Sequence, residues 1–217
     1  MPESMESSAI ARLSVLIENL KNSKVRDLVN AQIKEFRENG QKSSRELFKE
    51  LCFCILTANF IAEKSLKIQK EINDGFLTLP EHELTEKLRK LGHRFPQKRA
   101  KYIVEARKYA DSLKGIIESI NVRDKLREWL VKNIKGIGYK EASHFLRNIG
   151  YTDLAIIDFH IINILTKHGL IEKPRTLTKT KYLEIENLLR EVAGKLNLSL
   201  AELDLYLWYM ETGKVLK

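Results

Sequence analysis

The sequence predicts an all-α protein, and three observations carry that prediction. Apolar residues recur at spacings of three and four along almost the whole chain, the period of an amphipathic helix. No run alternates apolar and polar residues over the length of a strand. Two serines stand three residues ahead of a glutamate where an apolar run begins, Ser43 before Glu46 and Ser199 before Glu202, which is the spacing of a capping box. The 217 residues allow one large domain or two small lobes, with enough length to bury a sizeable core.

The elements follow in order. Ile10, Leu13, Leu16, Ile17 and Leu20 mark a first helix, and Val25, Leu28, Val29, Ile33 and Phe36 a second. "ENGQKSSRE" interrupts the pattern, and the Ser43 box restarts it in a third helix with Leu47, Leu51, Cys52 and Ile55. Another helix is expected at about 61–73. "DGFLTLPEHEL" reads as a turn, with Pro80 suited to the first turn of a helix that runs to about Leu91. "GHRFPQKRA" breaks the pattern again, and Pro96 marks a loop or a fresh start. Helices are then expected at about 97–113, 123–134, 140–149, 159–168, 179–197 and 200–212. The chain contains no repeat, low-complexity tract or Gly/Ser linker.

Composition narrows the function classes. No apolar run approaches the roughly 18 residues needed to span a bilayer. The first ten residues carry two acids and no base, unlike a secretory signal. An intracellular protein of the cytoplasm or nucleoid, with no membrane partner, is therefore expected. Cys52 and Cys54 lie in the apolar run "LCFCIL" and read as buried thiols, since a metal or cluster site needs more ligands. "HELTE" at 82–86 lacks the second histidine of a zinc-protease helix, and His160 and His168 have no cysteines nearby. No metal and no other cofactor is expected. The formal net charge of +9 suits a polyanionic partner such as nucleic acid, although solubility alone would also account for it.

The most informative stretch is "KGIGYKEASHF", from Lys135 to Phe145, between "LREWLVKNI" and a further helical run. It reads as helix, tight turn, helix. Gly136 and Gly138 suit a turn that needs positive φ or close backbone approach. A helix that starts after such a turn presents N–H groups and the positive end of its dipole to an anion. On a basic chain that anion is most simply a DNA phosphate, contacted without reading sequence. Spacing alone leaves this reading level with a plain αα-turn whose glycines serve geometry only. The turn lacks the spacing and Lys-Ser/Thr ending of a nucleotide P-loop. Further on, Asp158 in "LAIIDFHIINIL" stands where an N-cap belongs; a cap whose carboxylate faces a cleft could serve two purposes.

"KGIGYKEA" followed by "AIIDFH" resembles the helix-hairpin-helix DNA glycosylase superfamily, and the resemblance extends over most of the chain. The resemblance implies that Lys140 is the nucleophile of a bifunctional glycosylase/lyase and Asp158 its essential carboxylate. The four C-terminal cysteines of the superfamily's iron–sulfur branch are missing. The whole is most similar to the archaeal-type (type 2) 8-oxoguanine DNA glycosylase/lyase. By that similarity Asn59 in "ILTANFIAEK" is placed to enter the DNA stack, and Phe95 in "HRFPQKRA" lines the base pocket. Trp208 in "LWYMETGKVLK" stacks on the base, and Lys217 ends in the pocket. Taken from the residues alone, Phe95 and Trp208 read as core aromatics, Asn59 as a helix-surface or cap residue, and Lys217 as a frayed end. Many superfamily hairpins have proline before the first glycine; here Lys135 stands there and adds a charge that can face phosphate.

The chemistry explains the pairing. Cleaving a glycosidic bond leaves positive charge on the sugar. An amine can attack C1′, and a carboxylate can orient the attack and offset the charge. Amine attack gives an imine that acidifies the C2′ proton, so β-elimination nicks the strand, whereas water would stop at an abasic site. The target nucleotide must leave the duplex stack, and aromatic faces recover part of that cost. The expected function is thus excision of 8-oxoguanine from double-stranded DNA containing the damaged base, by a monomer. Three alternatives stay open: a glycosylase/lyase for oxidised pyrimidines or abasic sites, a non-catalytic hairpin module that binds DNA, and a basic helical scaffold for a protein partner. The resemblance implies two helical lobes, one formed by 1–44 with 150–217 and one by 45–134, with the hairpin of 123–149 at the cleft between them.

Overall fold

The computed structural model describes residues 3–217, with side chains from Ser8 onward. The helices are α1 (Glu3–Lys21), α2 (Val25–Gly40), α3 (Ser44–Thr57), α4 (Ala62–Ile72), α5 (Gly75–Thr78), α6 (Glu81–Lys90) and α7 (Pro96–Ala106). A single 3-10 turn, Arg107–Tyr109, precedes α8 (Leu113–Ser119), α9 (Arg123–Asn133), α10 (Tyr139–Asn148), α11 (Phe159–Lys167), α12 (Lys179–Lys195) and α13 (Leu200–Thr212). Among the described residues there is no strand, so the all-α expectation is borne out.

Local chemistry sets most boundaries. The Ser43 hydroxyl accepts from the Glu46 N–H at the start of α3. At α13 the box is complete: Glu202 N–H donates to Ser199, and Ser199 N–H donates to the Glu202 carboxylate. Each bond satisfies an amide that the helix itself leaves open. Pro96 takes the first position of α7, where its missing N–H matters least. Pro80 stands one residue outside α6, at its N-cap.

Two segments differ from the expectation. The helix expected at 97–113 stops at Ala106, and α8 begins where that helix was to end. No glycine or proline marks the break. Arg107 turns instead to donate to the carbonyls of Phe76, at 2.7 Å, and Gly75, at 3.4 Å. Leu113 and Ile117 then bury themselves one turn apart and define α8. The expected turn at 74–84 contains α5, short but anchored by the fully buried Phe76.

Contact density divides the chain into two units. One comprises the chain up to Glu38 together with Gly150–Lys217; the other is Asn39–Ile149. In the first unit α1 packs on α12 and α13, and α11 packs on α13. Its core includes Leu13, Ile17, Val29, Ile164, Leu189 and Leu205. In the second unit α3 is the central element. All its residues from Leu47 to Thr57 are buried, and it packs against α4, α7, α8 and α10. Cys52 and Cys54 are buried in this core, and burial pushes the Cys52 thiol well up. No described group of three or more His, Cys, Asp or Glu side chains is placed to hold a metal ion. No described helix is long and apolar enough to cross a membrane.

Candidate active site

The hairpin lies in the second unit. α9 ends at Asn133, Ile134 and Ile137 bury their side chains, and α10 starts at Tyr139. Gly136 has φ +83, the left-handed region that side chains rarely adopt. A Cβ there would fall well inside contact distance of the Tyr102 ring carbon Cδ2 and 2.9 Å from Cε2. Gly138, by contrast, has an extended backbone (φ −102, ψ −170) open to any residue. Its N–H donates to Glu141 Oε2 at 3.2 Å, half of a capping arrangement in which glycine has no side chain to return the bond. The amide at Gly138 is thus occupied by Glu141 rather than open to an anion.

Lys140 is the second residue of α10. Its side chain is only 22% exposed, and its ammonium lies 3.9 Å from Glu141 Oε1, so it is no freely solvated surface charge. Lys135 is different. It is 65% exposed and pairs with Glu105 at 2.9 Å. The Glu105 carboxylate holds the Lys135 pKa above its ordinary value, and Lys135 holds Glu105 below its own. Beneath the first turn of α10 the buried Arg127 guanidinium stacks under the Tyr139 ring at 4.9 Å and donates to Asp124 at 3.0 Å.

Asn59 and Phe95 are brought together in the same unit. Asn59 is exposed at the tip of the α3–α4 loop, with φ +57. Two buried side chains, His93 and Arg99, hold that loop. His93 donates through Nε2 to the Leu56 carbonyl at 3.0 Å and accepts from the Phe95 N–H through Nδ1 at 3.0 Å, which fixes its neutral tautomer. Burial lowers the His93 pKa, in keeping with that tautomer. Its ring also packs on Phe60, centroid to centroid 4.2 Å. Arg99 donates from Nη2 to the Ala58 carbonyl. Phe95 itself is half-buried at the N-cap of α7, with Arg94 5.0 Å from its ring centroid.

Asp158 and Trp208 are brought together in the first unit. Residues 151–157 lead into α11 without regular secondary structure, and no strand lies among the described residues. Side chains from one face of α12 bond this backbone instead, at positions spaced by one turn. The Tyr182 hydroxyl donates to the Ala155 carbonyl at 2.7 Å and accepts from the Ile157 N–H at 3.3 Å. Glu186 accepts from the Ala155 N–H at 3.0 Å, and Arg190 donates to the Asp153 carbonyl at 3.2 Å. Asp158 then caps α11, with Oδ1 accepting from His160 N–H at 2.9 Å and Ile161 N–H at 3.0 Å. Phe159 is 64% exposed beside it. The His160 ring is tilted on Phe159 at 3.8 Å and edge-on to Trp208 at 4.8 Å. Trp208 is half-buried rather than a core residue, and its indole N–H is buried without a hydrogen-bond partner among the described atoms. Lys217 is half-exposed at the end of the tail that leaves α13 through the left-handed Gly213.

Three kinds of likeness bear on this arrangement. The sequence profile of a family described as 8-oxoguanine DNA glycosylase matches residues 29–198. The chain belongs to that family. It is 60% identical to the 8-oxoguanine DNA glycosylase/AP lyase of Methanocaldococcus jannaschii over 93% of this chain and 97% of that protein. The fold matches the crystal structure of the Methanocaldococcus jannaschii 8-oxoguanine glycosylase/lyase in complex with 15mer DNA containing 8-oxoguanine. That match has a TM-score of 0.93 and 59% identity, and covers 95% of this chain and 100% of that one. It also matches the crystal structure of the Thermotoga maritima 8-oxoguanine DNA glycosylase, with a TM-score of 0.90, 47% identity and coverage of 96% and 100%. The family resemblance expected from the hairpin and Asp158 is borne out.

For a member of the 8-oxoguanine DNA glycosylase family, several residues around these positions carried no separable sequence signal. Glu141 had one, since it stands three residues after Gly138 in capping spacing. His93, Arg99, Tyr182 and Glu186 had none, because a titratable residue in a helical pattern looks the same whether it is solvated or folded inward.

Proposed function

We infer that the chain is a bifunctional 8-oxoguanine DNA glycosylase/AP lyase. The observation that carries this reading is near-full-length kinship with 8-oxoguanine DNA glycosylase/AP lyases in a chain whose hairpin bears a lysine near the start of its second helix. Lys140, as the free amine, attacks C1′ of the damaged nucleotide. The N–C1′ bond to the lysine forms as the glycosidic bond breaks, and the base leaves with a proton. The sugar ring opens to an imine, a base removes the C2′ proton, and the 3′ phosphate departs by β-elimination. Water then hydrolyses the imine and restores the lysine. Asp158 offsets the positive charge that develops on the sugar. Its two bonds from α11 amides hold Oδ1, so Oδ2 remains for this role.

The other residues serve extrusion and grip. Phe95 and Trp208 each offer an aromatic face to the extruded base, at roughly 1–3 kcal/mol per stacked base, and Lys217 serves base recognition. Asn59 enters the stack that the base leaves. Lys135 and the turn at Gly136 hold a phosphate, while Glu141 keeps the Gly138 amide. The substrate is double-stranded DNA, bound by a monomer in the cytoplasm or nucleoid, and no step needs a cofactor.

The test is a 5′-labelled duplex with one 8-oxoguanine, run on a denaturing gel with and without hot alkali. Cleavage without alkali is the expected result. Cleavage only after alkali would remove the lyase half of the reading, and an intact strand in both lanes would remove 8-oxoguanine as the substrate.

A further inference from the structure

Arg99 is a buried cation far from the surface role its charge suggests. It is 5% exposed, and burial pulls its pKa down, offset in part by the Glu141 carboxylate. A charge is kept in such a place only where it is well paired or holds something in position. One arm of its fork, Nη2, donates to the Ala58 carbonyl, next to Asn59. The other arm, Nη1, lies 3.3 Å from where a Cβ on Gly136 would stand. The guanidinium therefore sits between the α3–α4 loop and the hairpin turn. Both segments have one residue in the left-handed region, Asn59 at φ +57 and Gly136 at φ +83. Glycine and asparagine enter that region more readily than other residues, so what Arg99 adds is the position of the two turns and not their local conformation.

We propose that Arg99 is a positioning residue that locks the Asn59 loop to the hairpin turn, so that Asn59 enters the DNA stack as the hairpin takes its phosphate. The assignment rests on the proposed roles of Asn59 and the hairpin, and it gives a reason for spending a buried charge here. The guanidinium bonds one loop through Nη2 and packs its other arm against the turn at Gly136; a lysine could keep the bond but lacks the planar group that fills the space beside the glycine.

The experiment follows stack entry directly. A duplex carries 8-oxoguanine with 2-aminopurine on its 3′ side, and the fluorescence rise on mixing reports the unstacking. Arg99→Lys and Asn59→Ala are compared with wild type and with the double variant, with thermal midpoints measured on each to confirm folding. Each single change is expected to slow the rise by about tenfold or more. The double variant is expected to be no slower than the slower single, because both remove the same act. Affinity for undamaged duplex should stay within about twofold for Arg99→Lys, since a buried group makes no phosphate contact. A wild-type rate for Arg99→Lys, or a double variant slowed by the product of the two single effects, would overturn the assignment. If Asn59→Ala keeps the wild-type rate while wild type excises the base, the Asn59 role is wrong and the Arg99 assignment falls with it. If wild type neither unstacks nor excises, the failure lies with the enzyme reading itself.

Discussion

Replacing Gly136 by alanine should be far more damaging than replacing its neighbour Gly138, although the two glycines look equivalent in sequence. At Gly136, φ +83 places an alanine in the left-handed region, at about 1–2 kcal/mol. The new methyl would also collide with the Tyr102 ring, whose Cε2 lies 2.9 Å away. Tyr102 is half-buried, so it can swing only partly clear, and forced overpacking of this kind adds about 1–3 kcal/mol. The expected destabilisation is therefore roughly 2–5 kcal/mol. At Gly138 the extended backbone suits alanine, and the nearest atom is the far end of the Glu141 side chain at 3.3 Å. Only the poorer N-cap counts there, at about 1 kcal/mol or less. Gly194, inside α12 with no neighbour within 4 Å, supplies a control of opposite sign. Alanine there should stabilise by about 0.5–1 kcal/mol. Urea unfolding of the three variants beside wild type reads all three numbers, provided the slope m is unchanged. A Gly136→Ala midpoint equal to wild type, or below it by no more than Gly138→Ala, would refute the reasoning that the turn depends on one left-handed residue.

Four further outcomes are expected. Asp158→Asn should keep the fold, because asparagine caps a helix as well as aspartate, yet lower single-turnover excision by about 10²–10³-fold through loss of the charge; a thermal midpoint that falls as far as the rate would point to the cap instead. Tyr182→Phe leaves the Ala155 carbonyl and Ile157 N–H without the hydroxyl that bridges them, and should destabilise by about 1–3 kcal/mol in urea while slowing excision through Asp158. Lys135→Ala should reduce the slope of log affinity against log salt by about one, equally for damaged and undamaged duplex. For His93, the folded pKa lies below the ordinary 6.5, so the unfolded chain binds the proton first as pH falls. Its contribution is present above about pH 6.5 and is lost as pH drops towards the folded pKa. His168, also lowered by burial, acts in the same window. Urea midpoints should fall between pH 7 and pH 5, and His93→Gln should flatten part of that fall; an unchanged slope in the variant would contradict the tautomer assigned to His93.

How much of this was legible in sequence depended on whether a residue's role was local. Gly136 was readable because a glycine between two helical patterns has few other uses, and Asp158 because a cap is defined by its own helix. Ser199 and Glu202 were readable for the same reason. The break after Ala106 was not, since Arg107 makes it by reaching the carbonyls of α5, far back in the chain. The irregular run before Asp158 was equally hidden. Its partners Tyr182, Glu186 and Arg190 lie on α12 and show in sequence only as ordinary helical positions. The expectation of an open amide cradle at the hairpin needed correction at Gly138, where Glu141 already accepts the N–H. Lys140 was singled out from its place in the hairpin, but only the structure gives its one-fifth exposure.

The central claim is that Lys140 forms a covalent imine with the sugar of an excised 8-oxoguanine. Borohydride reduces such an imine to a stable amine, so trapping on a duplex with one 8-oxoguanine tests the claim directly, with Lys140→Gln alongside. A slowly migrating protein–DNA band is expected for wild type and none for Lys140→Gln, with duplex binding retained by both. A band of equal strength in Lys140→Gln, or none in a wild type that still releases the base, would contradict it.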